Sequence, residues 1–334
     1  MGVSLFALAG DVAAAPRDAE QIDVERDHGC VVTSCGEVEC WGRNDWGQSA
    51  DRSPSLTPVW IGAPSTPVFE EVAVGQYHTC ALDEHGDVDC WGKGNYGQSA
   101  DRSGPFVDMD AGYNHNCAVR GSDGGIECWG TNSHGASTPP SGSFEAVSAG
   151  LDFGCAVETG GQAIRCWGNN GYGQAPASVQ PPGVYVGEVF TDVSVASYHA
   201  CASTNWGGGK VYCWGYEPYV SLGGSTIPHE SGLFEVPYSA TLEFDASPYG
   251  LIISELNTGD PVVHGFGWTA SSYPIPWGTE GLDVAMGANH WCIVDPMGDV
   301  ECEGNNGYGK SDAPSMAGNC PTPGFGTPTL PSWP

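Results

Sequence analysis

Positive charge is what this sequence has least of: 10 Lys and Arg stand against 40 Asp and Glu in 334 residues, a formal net charge of −30 at pH 7. A surface so acidic repels phosphate backbones and anionic membranes, which argues against a nucleic-acid partner. No stretch approaches the ~20 consecutive apolar residues of a membrane span, so membrane insertion is not expected. Amphipathic helical periodicity is absent, which excludes the helical solenoids. Chemical signatures are missing as well. There is no C-x-x-C, no G-x-S-x-G and no H-E-x-x-H, so zinc, a serine nucleophile and a metalloprotease site have no local support. The expectation is a chain without cofactor, metal or catalytic activity. Basic proteins, cations and neutral glycans stay open as partners.

Glycine and proline are plentiful, with 50 Gly and 25 Pro punctuating short β-branched runs. One unit, Cys80 to Gln98 (CALDEHGDVDCWGKGNYGQ), reads as strand, turn, strand and glycine-rich loop. A lone hairpin is marginal in water, and the chain supplies neighbours by copying it. The first cysteine recurs as Cys30, Cys80, Cys117, Cys155, Cys201 and Cys292, and the second as Cys40, Cys90, Cys128, Cys166, Cys213 and Cys302. A degenerate copy is aligned with Gly250 and Gly265 in these columns. Eight places before the first cysteine stand Ile22, Val72, Met109, Val147, Val193, Leu242 and Val284. Seven repeats about 37 to 52 residues apart indicate a solenoid, propeller or array. Short strands with turn signals favour an all-β, seven-bladed β-propeller with disulfide-stapled blades. Residues 16–311 form this propeller. Residues 1–15 resemble a signal-peptide remnant ending in Ala13-Ala14-Ala15, and 312–334 form a Pro-rich C-terminal tail.

The repeat consensus V-x-A-G-x-x-H-x-C-A-V followed by V-x-C-W-G-x-N-x-x-G-Q resembles the regulator-of-chromosome-condensation repeat family over about residues 20–310. The resemblance implies a seven-bladed propeller. That family includes a nuclear guanine-nucleotide exchange factor, ubiquitin-ligase modules and a secreted bacterial β-lactamase-inhibitor protein, and this chain is similar to the secreted bacterial branch in repeats and export. Columns shared by such different proteins report fold rather than activity.

Fourteen cysteines point to an oxidising compartment, so the protein is expected to be secreted, extracellular or on the cell surface. The 10–12 residue spacing puts each pair on neighbouring antiparallel strands, predicting Cys30–Cys40, Cys80–Cys90, Cys117–Cys128, Cys155–Cys166, Cys201–Cys213 and Cys292–Cys302. The two cysteines left over, Cys35 and Cys320, are assigned to a seventh bond that ties the tail to the first blade.

Three further columns bear on function. Trp41, Trp91, Trp129, Trp167 and Trp214 are read as inter-blade core. His28, His78, His115, His199 and His290 suit either a ring of metal ligands or packing at blade junctions through backbone hydrogen bonds, and the regularity favours packing. Trp46, Tyr96, His134, Tyr172, Tyr219 and Tyr308, with Ser271 in the degenerate copy, occupy one loop column. Rotational symmetry places that column on one rim, where it is the candidate binding face for a protein, with a lectin-like glycan site or a self-assembling surface as the alternatives. Its members could equally pack on their own loops. Residues 304–311 match G-x-x-x-x-G-K-[ST], but no helix follows. Lys310 merely takes the place of a repeat glutamine, so Lys310→Gln is expected to be silent. Asp87, Asp89, Glu39, Glu127 and Glu301 are read as a solvated strand face.

Overall fold

A computed structural model describes residues 18–52, 68–181, 187–205, 210–222, 225–227, 234–235, 241–247, 250–257, 260–266 and 282–316. Each repeat builds one antiparallel sheet. Its inner strand comes first in sequence, its middle strand begins at the histidine column, and its outer strand ends at the Trp-Gly pair. The first sheet is Ala19–Val24, His28–Thr33 and Val38–Gly42, and the second is Phe69–Val74, His78–Asp83 and Val88–Gly92. The pattern repeats through Phe106–Ala111, Phe144–Ala149, Phe190–Val195, Thr241–Ser247 and Asp283–Met286 as inner strands. In the fifth sheet Phe234–Glu235 adds a fourth strand, and Glu217–Leu222 pairs with Ser225–Ile227 as a separate hairpin. Helix is confined, among the described residues, to two three-residue 3-10 turns.

All of these inner strands line one central cavity of about 440 Å³. Sheets standing around a common axis are the propeller that the repeats predict. Among the described residues there is no single core. Instead, each apolar cluster lies between two consecutive sheets: Cys30, Val32 and Val38 pack on Val72, Val74 and Trp91. The first sheet closes on the last in the same way, with Ile22, Val24, Val31 and Trp41 against Ala285, Cys292, Val294 and Met316. The tryptophans of the repeat column are 3–8 % exposed. The indoles of Trp91, Trp167 and Trp214 donate to carbonyls in the preceding repeat's loop, at Gln48, Ala136 and Gln174. Trp41 donates to Lys310 across the closure.

The six cysteine pairs are bonded as the spacing predicts. Each pair is directly opposed in the ladder, as in Cys80↔Cys90. The Cα atoms lie 4.0–4.1 Å apart, closer than the ~4.4–6.8 Å usual for disulfides. Cys35 is also disulfide-bonded; Cys320, Ser271 and residues 1–15 lie outside the described residues.

The degenerate repeat corrects the alignment. Ile252 pairs with Gly265 and with Asp245, as Cys80 pairs with Cys90 and Ala73. Its first cysteine column is therefore Ile252, two residues beyond Gly250, and its inner apolar position is Phe244 rather than Leu242. Without a cysteine to anchor the count, the spacing alone placed the register two residues early.

Candidate functional site: the loop face and the hub

Two sets of segments share one face of the propeller. These are the turns between inner and middle strands and the glycine-rich loops after the outer strands. A repeated backbone bond joins them: the N–H groups of Arg43, Lys93, Thr131, Asn169, Tyr216 and Asn305 donate to the carbonyls of Asp27, Tyr77, Asn114, Asp152, Tyr198 and Asn289. Each loop is then locked from within. Gln48, Gln98 and Gln174 are fully buried, and their Oε1 atoms accept the N–H of Trp46, Tyr96 and Tyr172. With their own backbones fixed, these aromatic side chains project outward: Trp46 is 51 % exposed, Tyr96 58 %, Tyr172 40 % and Tyr308 63 %. The alternative in which the column packs on its own loops does not describe these four. Tyr219 lies in the strand Glu217–Leu222, and its side chain is outside the described residues.

The structure adds members that the loop column does not contain. Arg43 sits over Tyr308 at 4.9 Å and over Tyr77 at 5.3 Å, while Lys93 sits over Tyr77 at 4.8 Å and over Trp46 at 5.6 Å. These contacts form a continuous row, Tyr308–Arg43–Tyr77–Lys93–Trp46, running across the junction of the last and first sheets. Further round, Tyr172 stacks on Tyr216 at 5.3 Å and meets Tyr198 edge-on at 5.4 Å. Tyr77, Tyr198 and Tyr216 were legible as columns three before the first cysteine and three after the second, had those columns been aligned. His134 differs from its aromatic equivalents. Its Nδ1 lies 2.8 Å from Asp152 Oδ2 and 3.1 Å from Ser133 Oγ. Both partners share one nitrogen, so the trio cannot relay a proton from serine to carboxylate.

Charge on this face is balanced. Within its described turns, and in the loops from the Trp-Gly pair as far as the repeat glutamine position, Glu25, Asp27, Asp45 and Asp152 stand against Arg26, Arg43, Lys93 and Lys310, in a chain whose total is −30. Two of the acids are consumed internally, since Arg43 bonds both Asp45 and Asp27.

Lys310 overturns one expectation. It is 3 % exposed, and its Nζ donates to Asn289 Oδ1 at 2.5 Å and to the Arg26 carbonyl at 3.2 Å, with Asp27 at 3.5 Å. The residue bridges the closing junction, so Lys310→Gln is not silent. Glutamine would restore the loop-locking bond to the Tyr308 N–H and lose the contacts across the junction. The expected cost is about 1–3 kcal/mol, read as a lower urea midpoint at unchanged slope. No nucleotide binding is expected from either form, because only the three-residue turn Gly307–Gly309 lies there.

The histidines are buried, and two of them meet side chains across a junction. His28 Nε2 meets Thr79 Oγ1 at 3.0 Å and His78 Nε2 meets Asn116 Oδ1 at 2.6 Å, each in the next sheet. Burial holds them neutral, pulling His28 and His290 down to about 3 and His78, His115 and His199 to about 4. They form no metal ring. Among the described residues no group of three or more His, Cys, Asp or Glu is arranged to hold a metal ion.

The largest feature missed by the sequence reading is the acidic hub. An inner strand is the edge of its sheet, with N–H groups that lack a ladder partner. The neighbouring inner strand supplies side-chain acceptors. The N–H groups of Val72, Val74, Met109, Val147 and Ala149 donate to Gln21, Asp23, Glu71, Asp108 and Asp110, and Ile22 donates to Asp283 at 2.8 Å, which closes the ring. Ser148, Ser194 and Asp245 serve Val195, Ala246 and Met286 in the same way. Burial, reinforced by neighbouring carboxylates, pushes Asp108 up to about 8, Asp283 to about 7, and Asp192 and Asp245 to about 6, with Asp23 and Glu71 raised well above their ordinary values. These groups sit two residues apart along the inner strands, where they read as the polar face of an ordinary strand. By contrast Asp87 and Glu301 are exposed on the hairpins, as the sequence suggests, whereas Glu39, Asp89 and Glu127 are half-buried.

Comparison with known proteins agrees with this architecture. Residues 69–98 and 144–174 match the family model described as the regulator of chromosome condensation (RCC1) repeat. No curated protein matches. Among solved structures, the chain is similar to the CRINKLY WD40 ectodomain of the Arabidopsis thaliana receptor kinase ACR4, at 20% identity, 88% of this chain, 98% of that chain and a TM-score of 0.62. It is similar to human WBSCR16 at 16% identity over 82% and 86% of the two chains, with a TM-score of 0.66. Yeast RCC1, solved with Kap60 bound, matches at 15% identity over 90% and 73%, with a TM-score of 0.51. The fold is an RCC1-like repeat β-propeller.

Proposed function

We propose that the protein is a non-catalytic module of seven blades, working outside the cell or on its surface, that docks another protein on the aromatic loop face. The observation that carries this reading is the aromatic and cationic row from Tyr308 to Trp46, exposed at its two ends and half-buried between them, set on a charge-balanced face of a −30 chain. Protein interfaces are depleted of charge at their centre, and Trp, Tyr and Arg supply most hot spots. The six disulfides support an oxidising location. Yeast RCC1 with Kap60 is a precedent for a propeller of this type in a protein complex.

The test begins with partners recovered from the native medium or envelope. Trp46→Ala, Tyr96→Ala and Tyr172→Ala are expected to weaken binding of the recovered partner by about 30-fold each, the ~2 kcal/mol of a hot spot. Melting temperatures should stay within about 2 °C, because the lost side chains are largely exposed. Lowered melting with unchanged affinity assigns the aromatics to the fold and sends the search to the opposite face. Selective retention on a glycan array, lost in the same variants, would replace the protein by a sugar that stacks on the rings.

A further inference from the structure

The centre of the loop face is a small cavity of about 30 Å³, bordered by Glu25, Gly112, Tyr113, Gly150, Leu151 and Ser197. Five residues before the first cysteine, the other described repeats carry Gly75, Gly112, Gly150, Ala196, Ser247 and Gly287. The reason is steric: a Cβ on Gly112 would collide with the Gly150 carbonyl, and one on Gly150 with the Ala196 carbonyl. Only the first repeat places a charged side chain here. Half-buried Glu25 lines the cavity, and none of the hydrogen bonds or ion pairs of the described residues ends on its carboxylate. The field it feels is negative on balance. Asp245 and Asp110 face it from the hub and Asp27 from its own turn, with Arg26 as the opposing charge.

An unpartnered carboxylate in a pocket backed by further carboxylates is built for a cation, and the pocket's size selects which. Room for one water takes roughly 10–15 Å³ on this scale, so about 30 Å³ admits two water-sized groups. That matches an ammonium and the carbon that carries it. Building on the proposed docking face, we propose that this central pocket receives the ammonium end of a lysine side chain from the protein partner, with Glu25 as its counter-charge. The docked partner then covers the pocket and excludes water from it, the arrangement in which a buried charge pair contributes most to specificity.

Burial and the hub carboxylates hold Glu25 up at about 8, so the arriving ammonium displaces its proton. The experiment titrates the folded protein with n-butylammonium chloride as the lysine probe, following the Glu25 carboxyl carbon and the Gly112 and Gly150 amides by NMR. Saturation is expected to lower the Glu25 midpoint by about one pH unit, a tenfold change in its proton affinity. Tetramethylammonium should leave it in place, a larger response to propylguanidinium than to butylammonium would overturn the lysine in favour of an arginine, and Glu25→Gln should abolish the amide shifts. Unmoved amides, or an equal response to tetramethylammonium, would overturn the site. A second arm measures the recovered partner. Glu25→Gln should weaken it at least tenfold, and lysine-to-methionine changes in the partner should reproduce the loss. If the aromatic variants lose affinity and Glu25→Gln does not, the lysine anchor is wrong and the docking face stands. If butylammonium enters while the aromatic variants keep full affinity, the pocket is real and the docking face is wrong.

Discussion

Reduction of the six strand-to-strand disulfides should unfold this protein at 25 °C. Each bond closes a loop of 10–12 residues, for which chain entropy gives about 2–3 kcal/mol. Taken together the bonds are comparable to the whole ~5–15 kcal/mol margin of a folded domain. Thin cores between sheets make the dependence plausible on packing grounds, since no sheet has a core of its own to fall back on. Loss of the near-ultraviolet circular dichroism and exposure of Trp41, Trp91, Trp129, Trp167 and Trp214 to quenchers in reductant is the expected readout. A reduced protein that keeps a cooperative melt within about 5 °C of the oxidised one would show that the sheets are held by packing alone. Replacing one pair, Cys117→Ala with Cys128→Ala, should cost about 2–4 kcal/mol and leave the fold intact. Peptide mapping of the same sample would also identify the partner of Cys35, for which Cys320 is proposed.

Alkaline pH should destabilise the protein through its hub. Asp108 and Glu25 titrate at about 8, Asp283 at about 7, and Asp192 and Asp245 at about 6 in the folded state, against about 4 in the unfolded chain. Raised folded values mean stability that is complete below about pH 4 and lost as pH rises through 6 to 8, because the unfolded chain releases protons that the folded hub keeps. The buried histidines act in the opposite sense. Their folded values near 3 and 4 lie below the unfolded ~6.5, so their contribution is complete above pH 6.5 and lost as pH falls toward 3. Between about 4 and 6.5 the two trends offset; above 6.5 only the carboxylates remain. Melting temperature should therefore fall between pH 6.5 and 8.5, by several degrees at about 2–4 °C per kcal/mol. Asp23→Asn keeps an acceptor for the Val74 N–H and removes a charge, so it should flatten the alkaline limb. A flat profile above pH 6.5 in the parent protein would mean that the hub carboxylates are ionised and solvated.

How much of this was legible depended on whether a column stayed local. Cysteine spacing fixed strand pairing because a strand and its neighbour are joined by one turn, and the tryptophan column marked the sheet junctions. The alternation of Asp23, Glu71, Asp108 and Asp110 with Ile22, Val72 and Met109 was equally visible, yet in one repeat it describes a strand with a wet face. Only closure of the ring turns these wet faces toward each other. Lys310 misled for a related reason. Within its repeat it replaces a glutamine and bonds Asn289, and its other partners, Asp27 and Arg26, are brought to it by the meeting of the two ends of the repeat array.

That meeting has a cost during synthesis. The bond from Ile22 to Asp283 spans 261 residues and that from Trp41 to Lys310 spans 269. The first sheet leaves the ribosome early with Ile22, Val24 and Trp41 unpaired, and their partners Ala285, Val294 and Met316 emerge last. At ~5–20 residues per second the open edge is exposed for roughly 15 to 60 seconds. A nascent chain in that window presents an adhesive surface to any other unfinished copy, and the same junction that completes the ring can join two open rings into a swapped dimer.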